Sequence, residues 1–94
     1  MALRWPEVSV VIPHYNDPES LARVVAAVRA QDYAGEVEIV VADDGSSQVP
    51  EVDGAVVVTQ ADQGFRAAAA RNLGAEAASG EVLAFLDADT VPEP

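Results

Sequence analysis

The sequence predicts a Rossmann-like three-layer α/β/α fold built on a mostly parallel sheet in the order 3-2-1-4. Three observations carry this. Short Val- and Ile-rich runs alternate with segments of helical period, so strand, helix and strand follow one another as in a βαβ unit. Val82-Leu83-Ala84-Phe85-Leu86 is apolar throughout, the mark of a strand buried on both faces of a parallel sheet. The predicted helices carry clear start or stop signals, and right-handed crossovers between parallel strands restrict the strand order.

Val8-Ser9-Val10-Val11-Ile12 reads as the first strand, following a lead in which Trp5 is expected to cover a core edge. Pro13 is read as its stop, because proline cannot donate to a ladder. After the exit loop His14-Tyr15-Asn16, Asp17 stands as a helix N-cap, with Pro18 at the first helical position and Glu19 in the first turn. Leu21, Val24, Val25 and Val28 form one apolar face, Arg23 and Arg29 lie off it, and the helix is expected to end near Gln31.

Val37 to Ala42 is the second strand, ending in Asp43-Asp44-Gly45-Ser46-Ser47, and Ala55 to Thr59 is the third. The stretch between them is short for a helical crossover, so an irregular connection is expected. Gly64 to Ser79 reads as the second helix, with a face of mostly small side chains at Ala70, Leu73, Gly74, Ala77 and Ala78. An interior glycine costs about 1 kcal/mol relative to alanine, so Gly74 predicts close approach of this helix to the sheet.

With 94 residues, half of them hydrophobic, the chain forms one unit, 1–94, with a modest core. It has no cysteine, which removes disulfides and thiolate metal sites. The net charge is −11 and the only basic residues besides His14 are five arginines, so no basic stripe is available for nucleic acid. The chain shows no basic-apolar leader and no apolar run of membrane-spanning length, from which a cytoplasmic protein is expected.

All strands of a parallel sheet finish at one edge, where open α/β sheets bind ligands. The first strand delivers Pro13, His14, Tyr15 and Asn16 there, and the second delivers Asp43 and Asp44. The third runs into Ala61, Asp62, Gln63 and Gly64, and the fourth into Asp87-Ala88-Asp89-Thr90. By itself Asp-Ala-Asp reads better as a polar turn; its weight comes from what the other strands aim at the same edge. Carboxylates crowded beside a phosphorylated ligand repel it unless a divalent cation intervenes, and hard cations such as Mg²⁺ or Mn²⁺ take oxygen ligands.

The runs VSVVIPHYND, EIVVADDGSS and QGFRAAAARNLGAEAASGEVLAFLDADTVPEP resemble the N-terminal half of the family 2 glycosyltransferases with the GT-A fold. That resemblance covers nearly the whole chain. It implies an inverting transferase that uses a nucleotide-diphosphate sugar, a divalent metal (Mn²⁺ or Mg²⁺) and a saccharide, lipid or small-molecule acceptor. It also implies roles: Pro13 and Tyr15 border the base, Asn16 lies in the same donor-binding loop, and Asp44 accepts from the base's ring N–H. Arg71 falls near the nucleotide, Asp87 reaches ribose or a metal-bound water, and Asp89 coordinates the metal. In the family the acceptor site and general base follow the metal motif, whereas this sequence ends at Pro94. The expectation is therefore a truncated, donor-binding half that transfers no sugar alone.

Structural readings stand beside these. Tyr15 also reads as cover for the sheet edge, and Arg71 as a partner of Glu76. Asp43 is expected to hydrogen-bond loop N–H groups, Arg66 to lie on the surface, and His14 to be a solvated loop histidine. Thr90 stands where a third acid is frequent in the family. Asp87 and Asp89 also fit the nucleophile motif of haloacid dehalogenase-type phosphatases, although that motif normally opens its fold and the chain has no lysine. A fragment that binds nucleotide without turnover is the non-enzymatic alternative. Because strand four lacks flanking strands here, self-association through its edge is expected.

Overall fold

Val8 to His14 alternates its side chains between two faces, and the rest of the fold follows from what covers each. The structure, a computed structural model, describes residues 5–62 and 67–86. Within them the order is β1 (Val8–His14), α1 (Pro18–Arg29), β2 (Val37–Asp43), β3 (Val56–Thr59), α2 (Ala67–Ala77) and β4 (Val82–Phe85). The strands form one sheet in the order β3-β2-β1-β4, with every pairing parallel.

Val10 and Ile12 of β1, with Ile39 and Val41 of β2, meet Leu21, Val24, Val25 and Val28 of α1. On the opposite face Val11, Val40 and Ala42 meet Ala70 of α2. The two helices therefore lie on opposite faces, which gives the expected three layers. Val11, Ile12, Val24, Val40 and Val41 are fully buried, each contributing about 1.5–3 kcal/mol of transfer free energy. Asp17 caps α1 as read, its carboxylate accepting from Ser20 N at 3.2 Å with Pro18 at the helix start.

Gly74 explains the small-residue face of α2. A Cβ there would stand 2.6 Å from Val11 Cγ1 and 3.1 Å from the Ala42 Cβ, so the helix axis approaches the sheet closely only because that atom is missing. The α2 start read at Gly64 lies outside the described residues, as does Arg66. The connection from β2 to β3 carries no helix. Arg29 braces it by donating from Nη2 to the Asp53 carbonyl.

Three expectations are corrected. Pro13 does not stop β1: the strand runs on to His14, pairing Pro13 with Ala42 and His14 with Asp43. Val11 accepts from Leu86 N on the β4 side. Backbone alternation turns the missing N–H of Pro13 to that same side, past Val11–Phe85, the last described β1–β4 pair. Strand four is not buried on both faces either, since Val82, Leu83 and Phe85 are 42–47% exposed and β4 pairs only with β1 among the described residues. Trp5 is 57% exposed and packs edge-on against Tyr33 instead of covering the core. No helix among the described residues is long and apolar enough to cross a membrane.

Candidate functional site

β1, β2 and β3 finish side by side, and their exit loops are laced by hydrogen bonds. The lacing centres on Asp43, the last residue of β2, which is fully buried. Its Oδ1 accepts from His14 Nδ1 at 2.9 Å and from the Ser46 hydroxyl. Its Oδ2 accepts from Ser46 N at 3.0 Å and from Thr59 Oγ1 at 2.8 Å. Burial alone would raise the Asp43 pKa. The hydrogen bonds from Ser46, His14 and Thr59 outweigh it and hold the carboxyl below its ordinary value. Asp43 is thus structural, as the sequence suggested, and more widely connected than a loop cap.

His14 is the main correction at this edge. It is buried, not solvated, because β1 continues through Pro13 and sets His14 beside Asp43, above the Val10–Ile12 stripe. Its Nε2 accepts from Asp17 N at 3.1 Å, which places the ring proton on Nδ1, where it is donated to Asp43. Both ring nitrogens are engaged in joining β1, β2 and the start of α1, which argues against a metal-ligand or base role for this histidine. No buried side-chain polar atom among the described residues lacks a partner.

The residues expected to meet the nucleotide stand around this pin. Asn16 has a left-handed backbone (φ 47°). Its N donates to Ser46 Oγ at 2.8 Å, and its Oδ1 accepts from Ser47 N at 2.9 Å. Asp44 is buried; its N donates to the His14 carbonyl at 2.9 Å, and its Oδ1 accepts from Gln60 Nε2 at 2.7 Å. Tyr15 is exposed and donates from its hydroxyl to Asp62 Oδ2 at 2.7 Å. That bond, with the charge of Asp62, raises the phenol's pKa. Pro13 is half-buried in β1, and Arg71 is half-buried on α2.

The structure thus brings Tyr15, Asn16 and Asp44 to one edge. Asp87 and Asp89 lie outside the described residues, directly after β4, the neighbour of β1. Among the described residues no three His, Cys, Asp or Glu side chains form a metal-binding group. Sequence reasoning missed Gln60 and Thr59, although both stand at the end of β3, where the strand-edge rule points.

A parallel sheet whose β1 is flanked by β2 on one side and β4 on the other reverses its winding between β1 and β4. Such a switch point is where open α/β sheets of the Rossmann-like class place their ligand crevice. The chain belongs to the family described as Glycosyl transferase family 2, whose sequence model matches residues 9–94, and the sheet is the Rossmann-like part of that family's GT-A fold. It is 40% identical to an uncharacterised glycosyltransferase of Nostoc sp. (94% of this chain, 30% of the relative). It is also 38% identical to the chondroitin synthase of Escherichia coli (92% and 14%). A third relative is the validoxylamine A glucosyltransferase of Streptomyces hygroscopicus subsp. limoneus, 41% identical (95% and 22%). The chain therefore spans less than a third of the length of these relatives. With the family shown, the phosphatase reading of Asp87 and Asp89 is not favoured.

Proposed function

We propose that these residues form the donor-binding half of an inverting, metal-dependent glycosyltransferase that takes a nucleotide-diphosphate sugar. The observation that carries the reading is the convergence of three laced strand exits beside the switch point, with β4 leading straight into Asp87-Ala88-Asp89. Pro13 and Tyr15 border the base, with Asn16 in the same loop, and Asp44 accepts from its ring N–H. Arg71 serves the nucleotide, Asp87 the ribose or a metal-bound water, and Asp89 the metal. Two carboxylates are hard oxygen donors and fit Mn²⁺ or Mg²⁺ by their chemistry. The ion, when bound, would neutralise charge on the departing diphosphate.

The described acids at this edge have other engagements: Asp43 with His14, Ser46 and Thr59, Asp44 with Gln60, and Asp62 with Tyr15. This supports a general base and an acceptor site supplied by other sequence, and nucleotide binding without transfer by these residues alone. The relatives' names cover chondroitin synthesis and a glucosyl transfer, so they support sugar transfer without choosing a sugar. A cytoplasmic location belongs to the same reading.

Calorimetry tests the site. Uridine or guanosine diphosphate should bind appreciably only with Mn²⁺ or Mg²⁺. Asp89→Asn should abolish the metal dependence. Asp44→Ala should weaken binding about tenfold or more even without metal, as expected for loss of a charge-assisted hydrogen bond. Equal binding by wild type and both variants would overturn the assignment.

The exposed β4 edge supports self-association of the isolated chain, because Val82, Leu83 and Phe85 present apolar surface on a strand that pairs only with β1 among the described residues. Light scattering at high concentration should show species larger than a monomer, reduced by Phe85→Glu. A monodisperse monomer would remove this expectation.

A further inference from the structure

We propose that Gln60 is a positioning residue for base recognition, holding the Asp44 carboxylate in the orientation that reads a ring N–H. The inference rests on the reading of Asp44 given above and adds a residue which that reading does not contain. Three contacts fix the geometry. Gln60 N donates to the Asp43 carbonyl at 3.0 Å, extending the β2–β3 ladder one step past Thr59. Its side-chain Nε2 then donates to Asp44 Oδ1 at 2.7 Å. Asp44 N is meanwhile bonded to the His14 carbonyl at 2.9 Å, so the carboxylate is set between two anchored backbones.

Orientation matters because Asp44 keeps only 4% of its surface exposed, and a ligand can meet only an edge of the carboxylate. An ionised carboxylate is acceptor-only. It therefore favours a base with a ring N–H beside a carbonyl, as in uracil or guanine, over cytosine or adenine, whose corresponding ring nitrogen is an acceptor. The hydrogen bond from Gln60 to Oδ1 restrains rotation of the carboxylate plane and thereby bears on which edge of it a ligand meets. The same short segment carries Asp62, the partner of Tyr15 at 2.7 Å, so the β3 exit forms one wall of the proposed base site.

The test is a discrimination ratio, which a merely structural residue would leave unchanged. Affinities of uridine, cytidine, guanosine and adenosine diphosphates are measured with Mn²⁺ for wild type, Gln60→Met and Gln60→Glu, with melting curves for each. Methionine keeps the length and removes the donor; glutamate replaces the donor with a second acceptor. Wild type should prefer uridine over cytidine diphosphate, or guanosine over adenosine diphosphate, about tenfold or more. Both variants should bring that ratio within about threefold while remaining folded. If wild type shows the preference and either folded variant keeps it, the role of Gln60 is overturned and the reading of Asp44 stands. A wild type with no preference, or no binding, overturns the reading of Asp44 and this inference with it.

Discussion

Asp43→Ala is expected to destabilise the chain by about 3–5 kcal/mol, since it removes a fully buried charged acceptor and leaves four donors without it, that of His14 in a buried side chain. The donors are His14 Nδ1, Ser46 N and the hydroxyls of Ser46 and Thr59, drawn from β1, the loop after β2, and β3. Asp43→Asn keeps the shape but turns an amide NH₂ toward some of these donors, so it should also lose stability, by roughly 2–3 kcal/mol. A domain of this size has a total stability of about 5–15 kcal/mol, so either loss should be plain in urea titrations. The pH dependence has a definite sign. The folded pKa of Asp43 lies below its ordinary value. Its contribution is therefore fully present above the unfolded pKa of about 4 and is lost as pH falls through the folded value. Acidification also relieves repulsion among the chain's sixteen acids, so absolute stability mixes two effects. The gap between wild type and Asp43→Asn cancels the repulsion common to both, and it should shrink as pH falls below about 4. A gap that stays constant to pH 2 would show that Asp43 is not the ionised hub of this edge.

The layers of the fold were legible because each rests on a repeat that survives any tertiary detail. Val10 and Ile12 against Val11 show the strand period, and Leu21, Val24, Val25 and Val28 show the helical one; both sets are buried where the pattern says. Gly74 was legible as well, since a glycine inside a helix needs a reason, and Val11 supplies it. The end of β1 was not, because the rule against proline in strands holds only where the missing N–H faces a partner. A strand ending at Pro13 leaves His14 in a loop, whereas one further step of alternation places it beside Asp43. Gln60 is not legible from charge at the strand ends, because the amide that bonds the Asp44 carboxylate carries none. The exposure of Val82, Leu83 and Phe85 agrees with the lack of flanking strands read for strand four, whereas the apolar run alone shows only that a strand can be covered on both sides.

Gly45→Ala should be the most damaging single-methyl change at this edge, and Gly54→Ala is its internal control. Both glycines have left-handed backbones, φ 85° at Gly45 and φ 74° at Gly54, where an L side chain costs about 1–2 kcal/mol. Their surroundings differ. A Cβ at Gly54 would meet only Arg29 Nη2, at 3.7 Å, which is ordinary contact. A Cβ at Gly45 would lie 2.4 Å from Asp62 N and 2.6 Å from Asp62 Cα, so the backbone after β3 must move. Overpacking of this kind adds about 1–3 kcal/mol, giving a total near 2–5 kcal/mol for Gly45→Ala. At this chain length each kcal/mol shifts the melting temperature by about 4–8 °C, so the two variants should be well separated in a melting experiment. The displaced segment also carries Gln60 and Asp62, the partners of Asp44 and Tyr15. Gly45→Ala should therefore weaken nucleoside diphosphate binding well below the melting transition, while Gly54→Ala leaves binding unchanged. Equal losses of stability in the two variants, with binding intact in both, would show that the exits of β2 and β3 do not depend on their contact at Gly45.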